Sequence, residues 1–326
     1  MNLDDIRDAL RAAKLDRLVA EAERLTLPAI HIETRKTREN SLPIGASKIG
    51  GRPDLPSSMP WPAREGKSLG FLAQFNLAEV APYDSQHILP TEGALSFFYD
   101  FAGAPWGLKP EDRGGWHVLY FAGNDATLSR SAWPDALASH YRLPPRRPVF
   151  SATMTLAQER QWLAYMRLNN DERRRLAEVF DSFAESGLDD MDEDDEDGDD
   201  GFTWLATQHQ LLGLPAPIHG GSPLECELAP SGRWAEAREI QARMYAGDEA
   251  AQARVRRAFE RWQLLLQLGN VSDLPFPGGT EDDPDWRLGE LCDLWARGGL
   301  MYFWIEKERL KQRDFSNVWL LASSQL

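Results

Sequence analysis

The chain has 326 residues, of which 42% are hydrophobic, 27% charged and 10% aromatic. This composition is typical of a globular protein and excludes collagen-like, coiled-coil and wholly disordered chains, and the length predicts about two domains. The formal net charge of −15 disfavours general nucleic-acid binding, because phosphate contacts require a concentrated basic face. The basic residues Arg142, Arg146 and Arg147 are interpreted as solvated loop charges.

The N-terminal region predicts one amphipathic helix followed by strands. Residues 3–25 place Leu and Ile at helical spacing among charged residues, and Pro28 is expected to end the helix. Residues 29–33 then alternate apolar and polar side chains as a strand does. After a loop rich in Gly and Pro over residues 42–62, further strands are predicted at 69–77, 94–101 and 116–122.

The middle of the chain predicts two helices and an acidic loop. Thr155 and Gln158 have the spacing of a capping box that opens a helix to about residue 168, and a second helix is predicted over 171–186. Ten of the twelve residues from 189 to 200 are Asp or Glu. Such a run repels itself and has almost no apolar side chain, so we expect a disordered loop. No EF-hand register is present, so no specific calcium site is expected.

The last part of the chain predicts loop and strand over residues 208–230, then a long helix and three strands. The helix is expected over 234–261, with a break at Gly247-Asp248. The strands are expected at 263–268, 300–305 and 317–321.

Motifs that would indicate export, a membrane span or a cofactor are missing from the sequence. Cys226 and Cys292 form no CxxC or zinc pattern, the first residues form no apolar signal, and no apolar run approaches the ~18 residues that span a bilayer. There is also no P-loop and no GxGxxG. We therefore expect a cytoplasmic monomer with reduced cysteines, no cofactor, no metal, and no membrane or nucleic-acid partner.

Three short patterns recur in the same order in the two halves of the chain. Each half has a Gly-x-Pro loop (48–56 and 211–217), an apolar strand with one glutamine (Gln74 and Gln267), and a glycine that leads into an aromatic strand (93–98 and 299–304). The order predicts an α+β fold that is an internal duplication of two half-units, each with its own mixed sheet, packed into one compact body with an N-terminal helix.

The predicted boundaries follow this order. They are an N-terminal helix over residues 1–27, a first half-unit over 28–150, a helical connector over 151–188, the acidic loop over 189–201 and a second half-unit over 202–326.

Several stretches together resemble a known family. They are Ser47-Lys-Ile-Gly-Gly-Arg-Pro-Asp-Leu-Pro56, Trp61-Pro62, Phe71-Leu-Ala-Gln-Phe-Asn-Leu77, residues 89–98, His209-Gln-Leu-Leu-Gly213, residues 262–267 and Asp314-Phe315-Ser316. Over residues 28–323 they are similar to the YwqG-like family of uncharacterised bacterial proteins. The resemblance implies two duplicated α+β units in one body and no known activity. The family often has Trp-Gly-Asp where this chain has Trp295-Ala-Arg297, and the acidic run is similar to an insertion.

Ser47 and the pair His209 and His219 are the residues to consider for catalysis or metal binding. Ser47 lies between Gly45 and Gly50 with one residue too many for a nucleophile elbow, so its hydroxyl is expected to bond backbone. His209 and His219 flank the second Gly-x-Pro loop, but a zinc site needs a third ligand and none can be named. We favour His209 as a cap of the loop backbone.

The candidate binding residues comprise Lys48, the two glutamines and three tryptophans. Lys48 opens the first Gly-x-Pro loop. Gln74 and Gln267 lie in strands predicted to be buried, and a buried amide needs partners. Either each glutamine holds the Gly-x-Pro loop of its own half, which we favour, or both face a shared cleft and bind a polar ligand. Loops rich in Pro or Gly contain the tryptophans of a candidate contact surface: Trp61, Trp106 and Trp133.

Two functions remain open. The favoured one is a non-enzymatic binding protein, for example an immunity-like protein that masks a basic partner, because an acidic surface accelerates such an association. The alternative is a hydrolase-type enzyme with its site in a cleft between the half-units, which requires a deep polar cleft with converging titratable groups.

Overall fold

The computed structural model describes residues 3–123, 128–157, 159–186, 209–215, 221–269 and 299–323. Several features of the sequence lie outside these residues: the acidic run, Gln158, His219, Cys292 and the stretch 295–297.

The N-terminal helix is split in two. Helix α1 spans Leu3–Ala12 and α2 spans Asp16–Ala22, with Lys14 between them at a φ of 57°. A left-handed residue interrupts the helical hydrogen bonds, so the prediction of one helix over 3–25 is wrong. Pro28 does not end the helix either, because strand β1 (Thr26–Lys36) has already begun two residues earlier.

Fourteen strands are present in the described part of the chain. After β1 they are β2 (Lys48–Ile49), β3 (Asp54–Pro56), β4 (Ala63–Arg64), β5 (Lys67–Ser68), β6 (Gly70–Asn76), β7 (Ala94–Tyr99), β8 (Trp116–Phe121), β9 (Leu128–Arg130), β10 (Arg146–Leu156), β11 (His209–Leu212), β12 (Trp262–Leu268), β13 (Leu300–Glu306) and β14 (Trp319–Ser323). Ten of them form one sheet in the order β14-β13-β12-β11-β1-β10-β2-β6-β7-β8. Strands β3 and β9 form a small separate pair, as do β4 and β5.

The long strands β1 and β10 form the middle of the sheet. They pair over eleven positions, from Thr26 opposite Leu156 to Lys36 opposite Arg146. Strand β10 therefore crosses the boundary predicted at residue 150. The predicted mixed sheets are also wrong, because every strand pair in the described residues is antiparallel and both halves share one sheet. Antiparallel neighbours need no helical crossover between them.

The sheet curls into a nearly closed barrel whose two edge strands, β8 and β14, approach each other. The rings of Trp116 and Trp319 lie 5.0 Å apart, and Trp116 Nε1 donates to the carbonyl of Val318 at 2.8 Å. The amide of Ala322 donates to the carbonyl of Trp106 at 3.0 Å. The loop before β8 thus fills the seam, and the apolar interior of the barrel forms the main core.

Helices cover the sheet and enclose a second core. In the described residues α4 (Glu159–Tyr165), α5 (Asn170–Ser186), α6 (Pro223–Leu228), α7 (Ala235–Tyr245) and α8 (Glu249–Arg261) pack with α1 and α2. Two short helices, α3 (Leu77–Val80) and α9 (Lys307–Lys311), follow strands β6 and β13. None of the helices described has the length and apolar character needed to cross a membrane.

Helix boundaries differ from the predictions in two places and agree with them in one. The capping box at Thr155 is wrong, since Thr155 lies in β10 and its hydroxyl donates to Leu27 O at 2.9 Å. The break at Gly247-Asp248 is confirmed, and the Asp248 side chain caps α8. Helix α6 lies where only loop and strand were predicted, although Ser222 and Glu225 form a capping box before its apolar residues.

Candidate functional site

The first Gly-x-Pro loop makes a tight turn directly after β2. Gly50 and Gly51 have φ values of 67° and 69°, a region that residues with a Cβ rarely adopt. A Cβ on Gly50 would also collide with the carbonyl oxygen of Pro144. The turn carries the chain from Lys48 in β2 back to Asp54 in β3, so that these two side chains meet.

Lys48 and Asp54 form a buried ion pair. Lys48 Nζ lies 2.7 Å from Asp54 Oδ2, and both side chains are 0% exposed. The ammonium also donates to the carbonyl of Arg52 at 2.8 Å. Burial of an ion pair is tolerated only when the remaining polar atoms find partners, and the next residues of the cluster supply them.

Arg130 and Glu39 complete what we call the buried ion cluster, made of Lys48, Asp54, Arg130 and Glu39. Arg130 Nε lies 2.8 Å from Asp54 Oδ1, and its Nη1 lies 3.1 Å from Glu39 Oε1. Two cations thus face two carboxylates, and the formal charges cancel. Glu39 Oε2 also accepts the Arg52 amide of the turn at 2.9 Å. Sequence reasoning missed Asp54, Arg130 and Glu39, which no short motif brings together.

The environment of the cluster lowers the pKa values of both Lys48 and Asp54, for different reasons. Burial lowers the pKa of Lys48, and the hydrogen bond with Asp54 only partly opposes this effect. Burial acts to raise the pKa of Asp54, but hydrogen bonds from Arg130 and Lys48 outweigh it, and the pKa is lowered. The carboxylate therefore stays ionised at neutral pH and is held by fixed donors, an arrangement that stabilises a loop.

Gln74 joins this cluster and binds the loop backbone. Its Oε1 accepts the Asp54 amide at 2.9 Å, and its Nε2 donates to the carbonyl of Ala46 at 3.0 Å. In the second half Gln210 binds the backbone of the Gly-x-Pro loop, because Gln210 Nε2 donates to Leu214 O at 2.8 Å. Gln267 is fully buried beside Gln210 in the register of β11 and β12.

The two glutamines do not face one cleft. Gln74 and Gln267 pair with the residues directly before Phe97 and Phe303, whose ring centroids lie 5.1 Å apart inside the barrel. Because side chains alternate along a strand, both glutamines point to the outer face. Four strands separate β6 from β12 in the sheet.

His209 is buried at the start of β11 and is neutral. Its Nδ1 accepts the amide of Gly269 at 3.1 Å, so the proton of the neutral ring is on Nε2. Burial lowers its pKa to about 3, with smaller contributions from His31 and Arg146. His209 therefore holds the backbone at the end of β12, which corrects the expectation that it caps the second Gly-x-Pro loop.

Two of the three loop tryptophans come together. Trp61 and Trp133 lie 5.7 Å apart, and Trp61 Nε1 donates to Leu69 O at 2.8 Å. The guanidinium of Arg142 lies 6.0 Å from the ring of Trp133. Both tryptophans are partly exposed, and we call them the Trp61–Trp133 patch. Trp106 lies instead in the barrel seam beside β14.

Comparison with known proteins places the chain in a family. Among the described residues, no group of three His, Cys, Asp or Glu side chains is arranged to hold a metal ion. No curated protein matches the sequence. A model of the family described as a domain of unknown function, DUF1963, matches residues 47–322, which is well over half of the chain, and the protein therefore belongs to the DUF1963 family.

Proposed function

We propose that this protein is a non-enzymatic binding protein whose partner is a basic protein. The observation that supports it best is the buried ion cluster, whose charges cancel and whose members bond one another and the loop backbone. Catalytic sites instead expose perturbed titratable groups to a cleft. The cluster is arranged to shape a loop, and this loop lies beside the Trp61–Trp133 patch.

A basic partner fits the charge of the chain. The net charge is −15, and ten of the acids lie within residues 189–200. Opposite charge accelerates association with a basic protein and has less effect on the final affinity. Tryptophan side chains are enriched at the centres of protein interfaces, which suits the Trp61–Trp133 patch as the contact. The protein is expected to act in the cytoplasm, for example as an immunity-like protein.

Capture of partners with matched variants tests this proposal. One variant replaces the ten acids of residues 189–200 with Asn or Gln, one carries Trp133→Ala, and the control carries Trp234→Ala on the helical side of the fold. We expect a basic protein on the wild-type chain. The basic protein should associate more slowly with the first variant than with wild type, and added salt should also slow its association. It should dissociate faster from Trp133→Ala. A captured partner that is acidic, or one that all three variants bind like wild type, would contradict the proposal.

The alternative of a hydrolase in a cleft between the half-units has less support. Strands β1 and β10 pair over eleven positions where the halves meet, and Gln74 and Gln267 point to the outer face of the sheet. No observation on the described residues favours this alternative over binding.

We also propose that the chain is a YwqG-like member of its family and an internal duplication. The strand order supports the duplication, because five strands lie on each side of the β1–β10 boundary. One extra residue bulges from β6 between Phe71 and Ala73, and one from β12 between Leu264 and Leu266. In each half the glutamine follows the bulge at the same distance.

Hydrogen bonds around the two turns give further support. Lys48 and Gln210 each donate to the carbonyl of the residue four positions later. The side chains directly before them, Ser47 and His209, each accept a backbone amide from the end of the strand that carries the glutamine. In an experimental structure, superposing residues 42–122 on 207–322 should align Gln74 with Gln267. A different strand connection in the two halves would contradict the duplication.

A further inference from the structure

A cavity lies where the helical layer meets the second half of the sheet. Its volume is about 120 Å³, somewhat smaller than an engineered cavity of about 150 Å³ in another protein that takes up benzene. Its walls come from the α2–β1 junction, α4, α8 and the strands β12 and β13. It shares no residue with the buried ion cluster or with the Trp61–Trp133 patch.

Two buried indole donors in the cavity wall have no acceptor. Trp262 and Trp304 line the cavity and are 7% and 2% exposed. Within the part of the chain that the structure describes, neither Nε1 has a hydrogen-bond partner. Native proteins leave few buried donors unpaired, and an indole N–H can only donate. Two such donors in the wall of one cavity indicate that an acceptor belongs between the helices and the sheet at this point.

The corresponding place in the first half shows how such a space is otherwise filled. Phe71 pairs with Phe98 directly before the bulge of β6, as Leu264 pairs with Trp304 directly before the bulge of β12. The indole of Trp61 packs on Phe98, with the ring centroids 5.6 Å apart. The indole N–H of Trp61 donates to a backbone carbonyl. Against Leu264 and Trp304 lies the cavity.

The remaining polar groups of the cavity are mostly donors. Lys307 belongs to the lining, and its Nζ donates to Phe259 O at 3.3 Å; burial lowers the pKa of this ammonium. Arg24, whose guanidinium lies 5.5 Å from the ring of Tyr165, is another donor in the lining. The exposed carboxylate of Glu260 is the acidic group at the rim. A ligand for this lining therefore needs acceptor oxygens at one end and an apolar body for the indole rings.

We propose that the cavity binds a short-chain carboxylate of three or four carbons, whose oxygens accept from the indole N–H groups of Trp262 and Trp304 and whose chain packs on their rings. A carboxylate supplies several acceptor sites, and hydrogen bonds to an ionised group are stronger than neutral ones. The proposal is independent of the protein partner, so that either can fail without the other.

Titration of the full chain labelled with ¹⁵N at the tryptophan indoles tests the proposal. Sodium propionate and sodium butyrate are the probes, with butylamine and sodium chloride at matched ionic strength as controls. We expect saturable shifts of the two indole N–H signals, identified by their loss in Trp262→Phe and Trp304→Phe. Each variant should weaken carboxylate binding about tenfold or more, and Trp133→Phe should leave it unchanged.

Three results would overturn the proposal. The first is the absence of a saturable shift at these two signals in the wild-type chain, which would mean that the cavity holds water alone. The second is equal binding of butylamine and butyrate. The third is butyrate binding that both Trp→Phe variants retain at wild-type strength. The second needs no variant, and neither does the first when no indole signal of the wild-type chain shifts, so the test holds even if a substituted chain folds poorly.

Discussion

Buried polar side chains in this protein act mainly on the backbone of neighbouring loops. Gln74 could be predicted to hold its loop, because a buried amide in an apolar strand needs partners close by. Asp54 and Arg130 could not be predicted as its neighbours, because they are 76 positions apart and meet only through the pairing of β3 and β9. The favoured interpretation of Gln74 agrees with its bonds to Asp54 N and Ala46 O.

Replacing Lys48 tests the buried ion cluster. Lys48→Met removes one cation and leaves Asp54 buried with less compensation, which costs about 3 kcal/mol or more of the free energy of unfolding. A carboxylate with a lowered pKa stabilises the fold above its unfolded pKa, and this stability is lost as the pH falls through the folded pKa. Without Lys48 the pKa of Asp54 rises, so acid unfolding should begin at a higher pH. Denaturant unfolding between neutral and acidic pH measures both effects.

The exposed Lys67, in β5, provides the matched control. Lys67→Met should leave both the free energy of unfolding and the acid midpoint close to wild type. An equally small effect of Lys48→Met would mean that the ion pair contributes no net stability.

The buried, neutral His209 predicts that the stability of the fold decreases below neutral pH. Its pKa is about 3 in the folded chain and about 6.5 in an unfolded one. Unfolding therefore takes up a proton below pH 6.5, and stability is lost as the pH falls from that value toward 3. At pH 5 the loss amounts to about 2 kcal/mol. His209→Asn should remove this part of the slope between pH 7 and 5, whereas His87→Asn, at an exposed position, should keep it. Identical slopes for wild type and His209→Asn would contradict the assignment.

At the scale of elements, six of the fourteen strands in the described residues could be predicted within two residues, and helix ends less well. The apolar runs that became β6, β12 and β13 are long and flanked by glycine or polar residues, so their pattern is distinct. The break at Lys14 could not be predicted, because lysine is a good helix former and rarely adopts the positive φ that it has here. Thr155 carries a helix-start signal, but eleven positions of pairing with β1 outweigh it.

Two glycine variants distinguish the cost of backbone strain from the cost of steric crowding at the turn of Gly50 and Gly51. Gly51→Val places a Cβ 2.6 Å from Glu39 Oε2 and 2.9 Å from the Cβ of Pro145, at a φ of 69°. Gly66 has a φ of 79° but no atom within 4 Å of an added Cβ. We expect Gly51→Val to lower the free energy of unfolding by about 1–3 kcal/mol more than Gly66→Val. Thermal and denaturant unfolding of both variants measure the difference, and equal costs would show that the turn tolerates crowding.

At the scale of the whole molecule, the sequence predicted strands of both halves but not their assembly into one curled sheet. Which strand pairs with which depends on contacts across the whole chain. The pairing of β1 with β11 joins strands of the two predicted half-units. The seam between β8 and β14 depends on indole hydrogen bonds, such as the one from Trp319 to Gly107 O at 2.8 Å. A periodic pattern contains no information on these contacts.

Gly107 allows the barrel seam to be tested directly. It has a φ of 75°, and a Cβ at this position would collide with the carbonyl oxygen of Leu320. Gly107→Ala should push the loop away from β14, expose the amide of Ala322 to faster hydrogen exchange, and cost about 3 kcal/mol. Gly247→Ala, at a φ of 86° with open space around it, should leave exchange at Ala322 unchanged. Unaltered exchange in Gly107→Ala would mean that the seam does not depend on this close approach.

The position of β1 between β10 and β11 has a consequence for synthesis on the ribosome. Ile32 in β1 pairs with His209 in β11, which lies 177 residues later in the chain. At usual elongation rates β1 is therefore synthesised about 10–35 s before this partner. Until β10 is made, β1 and β2 each expose an unpaired edge, and β1 keeps one until β11 is made; such edges promote aggregation of nascent chains. The large loop that must close before pairing also slows the last folding step. Truncation before β10 should therefore give an insoluble product, and chaperones that bind exposed strands should associate with the chain until its second half has emerged.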